Sequence, residues 1–124
     1  MNKIIIITSL LLLAAGCRSN SELSMERGEY FYSVGKFEDA TLEYNKVISK
    51  YSNRRFLSPK NTQVLANAHH NLAVVWFKRG HESNDSIEKS SYLSIANNEA
   101  KQAYFLYPKD TYKETWDKIQ KSIK

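Results

Sequence analysis

Beyond residue 17 the chain contains almost nothing that would stop a helix. Proline occurs only at positions 59 and 108, and glycine only at 16, 28, 35 and 80. No stretch alternates apolar and polar residues in the two-residue rhythm of a half-buried strand. Apolar residues return instead every three or four positions. Phe37, Ala40, Tyr44, Val47, Ile48 and Tyr51 share one face of a 3.6-residue period. Ser58-Pro59 supplies a capping oxygen and then a residue whose φ is already helical; Leu65, Ala68, Leu72, Val75 and Trp76 follow as another face. A further helix is expected near Asp85, with Glu88 as its capping-box partner and Ile87, Ile95, Ala96, Ala100, Ala103 and Tyr104 as its stripe. Pro108 ends it. Asp110 is then expected to cap a last helix bearing Tyr112, Trp116, Ile119 and Ile123. Ser19 or Ser21 opens the first helix, which stops at Gly35. Five helices joined by short loops lie antiparallel to their chain neighbours, so the expected class is all-α.

The N-terminus has a different character. A positive start at Lys3 precedes Ile4 to Ala15, which is apolar except for Thr8 and Ser9. About 12 apolar residues are too few for a helix across a ~30 Å hydrocarbon core, but they match the core of a signal peptide. The run closes on Leu13-Ala14-Ala15-Gly16-Cys17, small side chains before a cysteine. This segment resembles the lipobox of bacterial lipoproteins, with Ala14 where a leucine is usual and Leu13 one place earlier. The resemblance implies a cleaved signal peptide over 1–16, a lipid on Cys17, a tether over 17–20 and a helical domain over 21–124. The membrane would then be one partner, reached through that lipid. In a Gram-negative host the same resemblance, with Arg18 rather than aspartate after the cysteine, implies an outer membrane, facing the periplasm.

Cys17 is the only cysteine. With its sulfur acylated, the domain would have no disulfide, thiolate metal site or cysteine nucleophile, and packing alone would hold it. The net charge is +5, or about +4 once Lys3 leaves with the signal. In an exported protein that points to anionic lipid or an acidic partner surface, not nucleic acid.

Gly28, Phe31, Ala40, Tyr44 and Val47 bring a second resemblance. A small residue, an aromatic three places on, an alanine twelve places on, then an aromatic and a branched residue at four and three more form the pattern of a tetratricopeptide repeat. Over 21–52 this sequence resembles that family, departing at Ser24 and Arg27, where large apolar residues are usual, and at Ser52, often proline. Leu72, Ala73 and Trp76, then Ala96, Ala100, Ala103 and Pro108, resemble a second unit. Ala73 and Ala96 are 23 residues apart rather than 12, an insertion of 11, and His69 stands where an apolar residue is common. If the two alanines still face each other, the turn falls at Asn84-Asp85 and Gly80 sits inside a helix. The resemblance implies antiparallel hairpins stacked as a short tetratricopeptide-like solenoid with a C-terminal capping helix.

Catalytic patterns fail on inspection. His81-Glu82-Ser83-Asn84-Asp85 mimics a zinc-protease helix with its second histidine replaced, but Ser83, Asn84 and Asp85 read as a turn and a cap. His69 and His70 are adjacent, so on a helix they point about 100° apart and cannot chelate one ion. Ser33-Val34-Gly35-Lys36 and Ser86-Ile87-Glu88-Lys89 fit Ser-x-x-Lys without the other elements of penicillin-binding enzymes. No enzyme, cofactor or metal is expected.

Binding remains. Members of the repeat family hold partner peptides or helices against their first helices. By resemblance the groove positions are Met25, Glu29 and Tyr32 in the first unit. The second adds Asn67, His70, Asn71, Val74, Phe77 and Lys78. The expected function is a membrane-anchored scaffold or pilot lipoprotein that helps assemble or anchor an envelope complex, such as a secretin, pilus or secretion system. The alternative is a surface or exclusion lipoprotein that blocks a phage, plasmid or toxin receptor.

Overall fold

The computed structural model describes residues 19–124; the expected signal segment, Cys17 and the first part of the tether lie outside the described residues. The described residues form five helices: α1 (Asn20–Ser33), α2 (Phe37–Ser52), α3 (Pro59–Glu82), α4 (Ser86–Leu106) and α5 (Asp110–Ile123). Their starts follow local chemistry. Ser19 accepts a hydrogen bond from the Glu22 amide at 3.2 Å and Ser58 from the Asn61 amide at 3.1 Å. Asp85 accepts from the Ile87 and Glu88 amides at 2.9 and 3.4 Å. Ser19 is therefore the first cap, whereas Ser21 is buried and donates to the Tyr51 hydroxyl at 3.1 Å. At the last helix the expectation fails by one residue. Lys109 occupies the cap position without a side-chain bond, and Asp110 is the first helical residue, where its charge faces the positive end of the helix.

Each helix packs antiparallel against the next, and α3 touches all four others. The result is two layers. α1, α3 and α5 form one, and α2 and α4 back it. Stacked antiparallel hairpins with α5 closing the end are thus the observed architecture. The main core joins α1, α2 and α3 through Met25, Ala40, Tyr44, Val47, Tyr51, Leu65, Ala68, Leu72 and Val75. A second cluster joins α3, α4 and α5 through Ala73, Ala96, Ala100 and Ile119.

The first hairpin depends on one close approach. A Cβ placed on Gly28 would lie 2.4 Å from Tyr44 Cε1, so the buried ring occupies the space a side chain would need. The two polar departures in α1 have a shared partner. Glu43, buried on α2, accepts from Lys46 Nζ at 2.8 Å and from Arg27 Nε at 3.4 Å, and also bonds the buried Ser24. Burial raises the Glu43 pKa, but the Lys46 hydrogen bond, both cations and Ser24 outweigh it, and the net shift is downward. Glu43 thus joins Ser24 and Arg27 of α1 to α2 through a polar bridge.

The second hairpin turns at Ser83–Asp85, not at Gly80. Ala73 meets Ala96 in one cluster, and Ala66 meets Ala103 in another, one heptad away along each helix. Small residues let α3 and α4 run close together over their length. Gly80 continues the series, with its missing Cβ 3.0 Å from Leu93 Cδ2. On α4 the buried face is Leu93, Ala96, Ala100 and Ala103, whereas Ile87 and Ile95 are exposed. The alanines select the face that approaches most closely, and both isoleucines lie off it. Ile123 is exposed as well, while Tyr112 and Ile119 are buried. Among the described residues no helix is long and apolar enough to cross a membrane.

Candidate functional site

α1 and α3 lie side by side and run parallel, because each is the first helix of a hairpin. Lys60 Nζ lies 4.0 Å from Glu22 Oε1 where both helices begin. One turn on, Met25 and Asn67 line the same concavity, and further along Glu29 and Tyr32 share a second one with Asn71 and Val74. Asn67, Asn71, Val74 and Lys78 follow one another at helical spacing of four, three and four, so they form a single stripe of α3.

The larger concavity, about 470 Å³, is walled by Glu22, Met25 and Glu26 of α1 and by Lys60, Gln63, Val64 and Asn67 of α3. Tyr107 and Lys109 of the α4–α5 junction and Tyr112 of the first turn of α5 close it. The smaller, about 150 Å³, has Tyr44 as its floor. Burial, reinforced by Glu29, pushes the Tyr44 hydroxyl up to about 12 against a bond from Asn71. The phenol therefore stays neutral and available for hydrogen bonding at any physiological pH. Both signs of charge surround an apolar centre of Met25, Val64 and Tyr112, which suits a peptide or helix with mixed side chains.

The expected groove residues do not all share this cleft. Met25 is buried at its floor, with Glu29, Tyr32, Asn67, Asn71 and Val74 along it. Tyr32 is half-buried, with its ring centre 5.8 Å from that of Phe37. His70 and Phe77 turn to the other flank of α3, toward α5. Phe77 packs on the Ala73–Ile119 cluster and stacks with His81 at 5.3 Å. His70 lies 4.7 Å from the Tyr112 ring, and its Nε2 bonds Thr115 Oγ1 at 2.8 Å. Thr115 gives its own hydrogen to the Thr111 carbonyl at 3.1 Å, so His70 Nε2 is the donor. Burial lowers the His70 pKa, opposed by a hydrogen bond to Asn71, which favours the protonated ring, and reinforced by Lys109. Lys78 is exposed beyond the end of the cleft, paired with Glu82 at 3.4 Å.

Sequence reasoning missed Glu22, Glu26, Lys60, Gln63, Val64, Tyr107, Lys109 and Tyr112 as lining residues of the larger concavity. Tyr112 had a visible signal, as a member of the α5 stripe. Tyr107 and Lys109 had none, because their place depends on how α5 docks. The neighbouring His69 bonds Glu99 across α3 and α4 and so ties the long hairpin together. Among the described residues no three His, Cys, Asp or Glu side chains gather as a metal-ligand set. No family model and no curated protein sequence matches this chain.

Proposed function

We propose that this chain is a membrane-tethered binding module of tetratricopeptide-like build, a lipoprotein anchored through Cys17 in the outer membrane and facing the periplasm. Its role is that of a scaffold or pilot that holds one segment of an envelope complex, of the secretin, pilus or secretion-system kind, against the α1–α3 cleft. The observation that carries this reading is the cleft itself. An open concavity of about 470 Å³ runs between two parallel first helices, with Met25, Val64 and Tyr112 framed by Glu22, Glu26, Lys60 and Lys109. Aromatic and long apolar side chains in such a frame supply contact area with few torsions to freeze. The lipid would keep the module at the surface where an envelope complex is built.

Photo-crosslinking in cells tests the binding half. A crosslinker at Tyr32 or Asn67 should capture one envelope protein, whereas one at Leu42, 61% exposed on the backing layer, should not. Equal capture from Leu42, or none from the cleft positions, would refute it. For the anchor half, Cys17→Ser should abolish acylation and release the protein or leave it unprocessed. Normal processing with unchanged membrane fractionation would refute that half alone.

A further inference from the structure

One end of the domain is assembled from three chain segments far apart in sequence: the start of α1, the α2–α3 junction and the α4–α5 junction. The Ser21–Tyr51 hydrogen bond at 3.1 Å sets the start of α1 beside the end of α2. The 4.0 Å approach of Lys60 to Glu22 adds the start of α3. Tyr107 and Lys109, in the same concavity as Glu22 and Lys60, add the end of α4 and the start of α5. This end therefore collects Lys50, Arg54, Arg55, Lys60 and Lys109 against Glu22, Glu26 and Asp110. Phe56 projects from the α2–α3 loop at 84% exposure, with the Arg55 guanidinium 5.7 Å from its ring centre. Lys50 and Arg54 flank the Tyr51 ring at 5.5 and 5.3 Å. The opposite end is mixed, with Glu38, Asp39, Glu82, Asp85 and Glu88 among its lysines.

The chain enters the domain at this basic end. Ser19 caps α1, and Cys17 lies only two residues earlier in sequence, which is at most about 7 Å of extended chain. A lipid on Cys17 would hold Arg54, Arg55 and Phe56 within reach of the bilayer surface. Cations around an exposed aromatic ring are the composition that binds an anionic lipid interface, and a short tether makes even weak contacts effective.

We propose that this basic, aromatic end docks on anionic lipid headgroups, with Phe56 entering the boundary between headgroups and acyl chains. The domain then stands on its end. α3, at 24 residues and about 1.5 Å each, holds the Ser83–Asp85 turn roughly 36 Å above the surface, and the cleft opens sideways. Only the proximity of the tether rests on the Cys17 reading; the charge and the exposed ring do not.

The test uses the full chain, reconstituted in vesicles of phosphatidylcholine alone or mixed with phosphatidylglycerol. An environment-sensitive thiol label is placed at Asn53→Cys, on the basic end, or at Asn84→Cys, on the far turn. The Asn53 label should shift to the blue only when phosphatidylglycerol is present, and the Asn84 label should not respond. At about 1 M salt, where screening acts beyond roughly 3 Å, the shift should disappear. Replacing both Arg54→Gln and Arg55→Gln should lower the ratio of docked to free domain about 30-fold, two factors of roughly five. Both arginines are exposed, so the fold should survive. Identical behaviour at the two sites would overturn the proposal, as would an Asn53 shift indifferent to phosphatidylglycerol and to the arginines. An acidic protein as the true partner would give that same blindness to lipid charge. Uptake of label by the parent chain would reveal a free Cys17 and sink the anchor alone. The lipid dependence of the Asn53 signal above that background would still decide the docking.

Discussion

Gly28→Ala is the sharpest perturbation of the first hairpin. The added methyl would lie 2.4 Å from Tyr44 Cε1, 2.8 Å from Cζ and 2.9 Å from Cδ1. Ordinary carbon contacts begin near 3.5 Å, so ring or helix must move by about 1 Å. Tyr44 is 2% exposed and Asn71 holds its hydroxyl, which leaves the ring little room to retreat. Replacing a mid-helix glycine by alanine gains about 1 kcal/mol of helix propensity, while overpacking a tight core costs about 1–3 kcal/mol. A contact this short belongs at the upper end, so the net loss should be about 1–2 kcal/mol. For a domain of this size that corresponds to a melting temperature lower by roughly 5–15 °C. Gly80→Ala is the control. Its methyl would meet Leu93 Cδ2 at 3.0 Å and Cγ at 3.1 Å, contacts that a shift of a few tenths of an ångström relieves, so the propensity gain should roughly cancel the strain. Thermal melts by circular dichroism measure both. In a Tyr44→Leu background Gly28→Ala should no longer destabilise, giving a coupling of about 1 kcal/mol or more. A Gly28→Ala domain that melts at or above the parent would refute the close-approach account.

Two further outcomes follow from charge and burial. Because the folded pKa of His70 is depressed, the unfolded chain binds its proton first; stability should therefore fall as pH drops below about 6.5, and His70→Gln should flatten that loss in urea titrations at pH values on either side. Glu43→Ala should cost about 1 kcal/mol, since Arg27 and Lys46 are exposed and regain water while Ser24 loses a buried partner; pairing Ser24→Ala with Glu43→Leu should recover it, and failure to recover in denaturant melts would show the polar bridge is not interchangeable with apolar packing.

The starts of α1, α3 and α4 were legible because they depend on atoms within one turn. Ser58-Pro59 and Asp85 hold oxygens that reach amides two or three residues on, whatever the rest of the chain does. The turn at Ser83–Asp85 was legible too, because Ala73 and Ala96 must be equidistant from it if they are to meet. Burial on α4 was not. Ile87 and Ile95 are as apolar as any core residue, yet the alanines take the inner face, since only small side chains allow α3 and α4 to run that close. Asn67 and His70, three residues apart on α3, illustrate the same limit for the candidate site. One faces α1 and the open cleft, and the other is covered by Tyr112 and Thr115. Nothing within a turn of either residue distinguishes them; the docking of α5 does. The basic end is the extreme case. Lys50, Arg54, Arg55, Lys60 and Lys109 are scattered cations in the sequence, and they become one surface only because antiparallel packing returns the chain to the same end at every second loop. Local hydrogen bonding determined where α1, α3 and α4 begin, whereas the face each helix hides and the surface it joins were decided by neighbours that only the folded chain brings into contact.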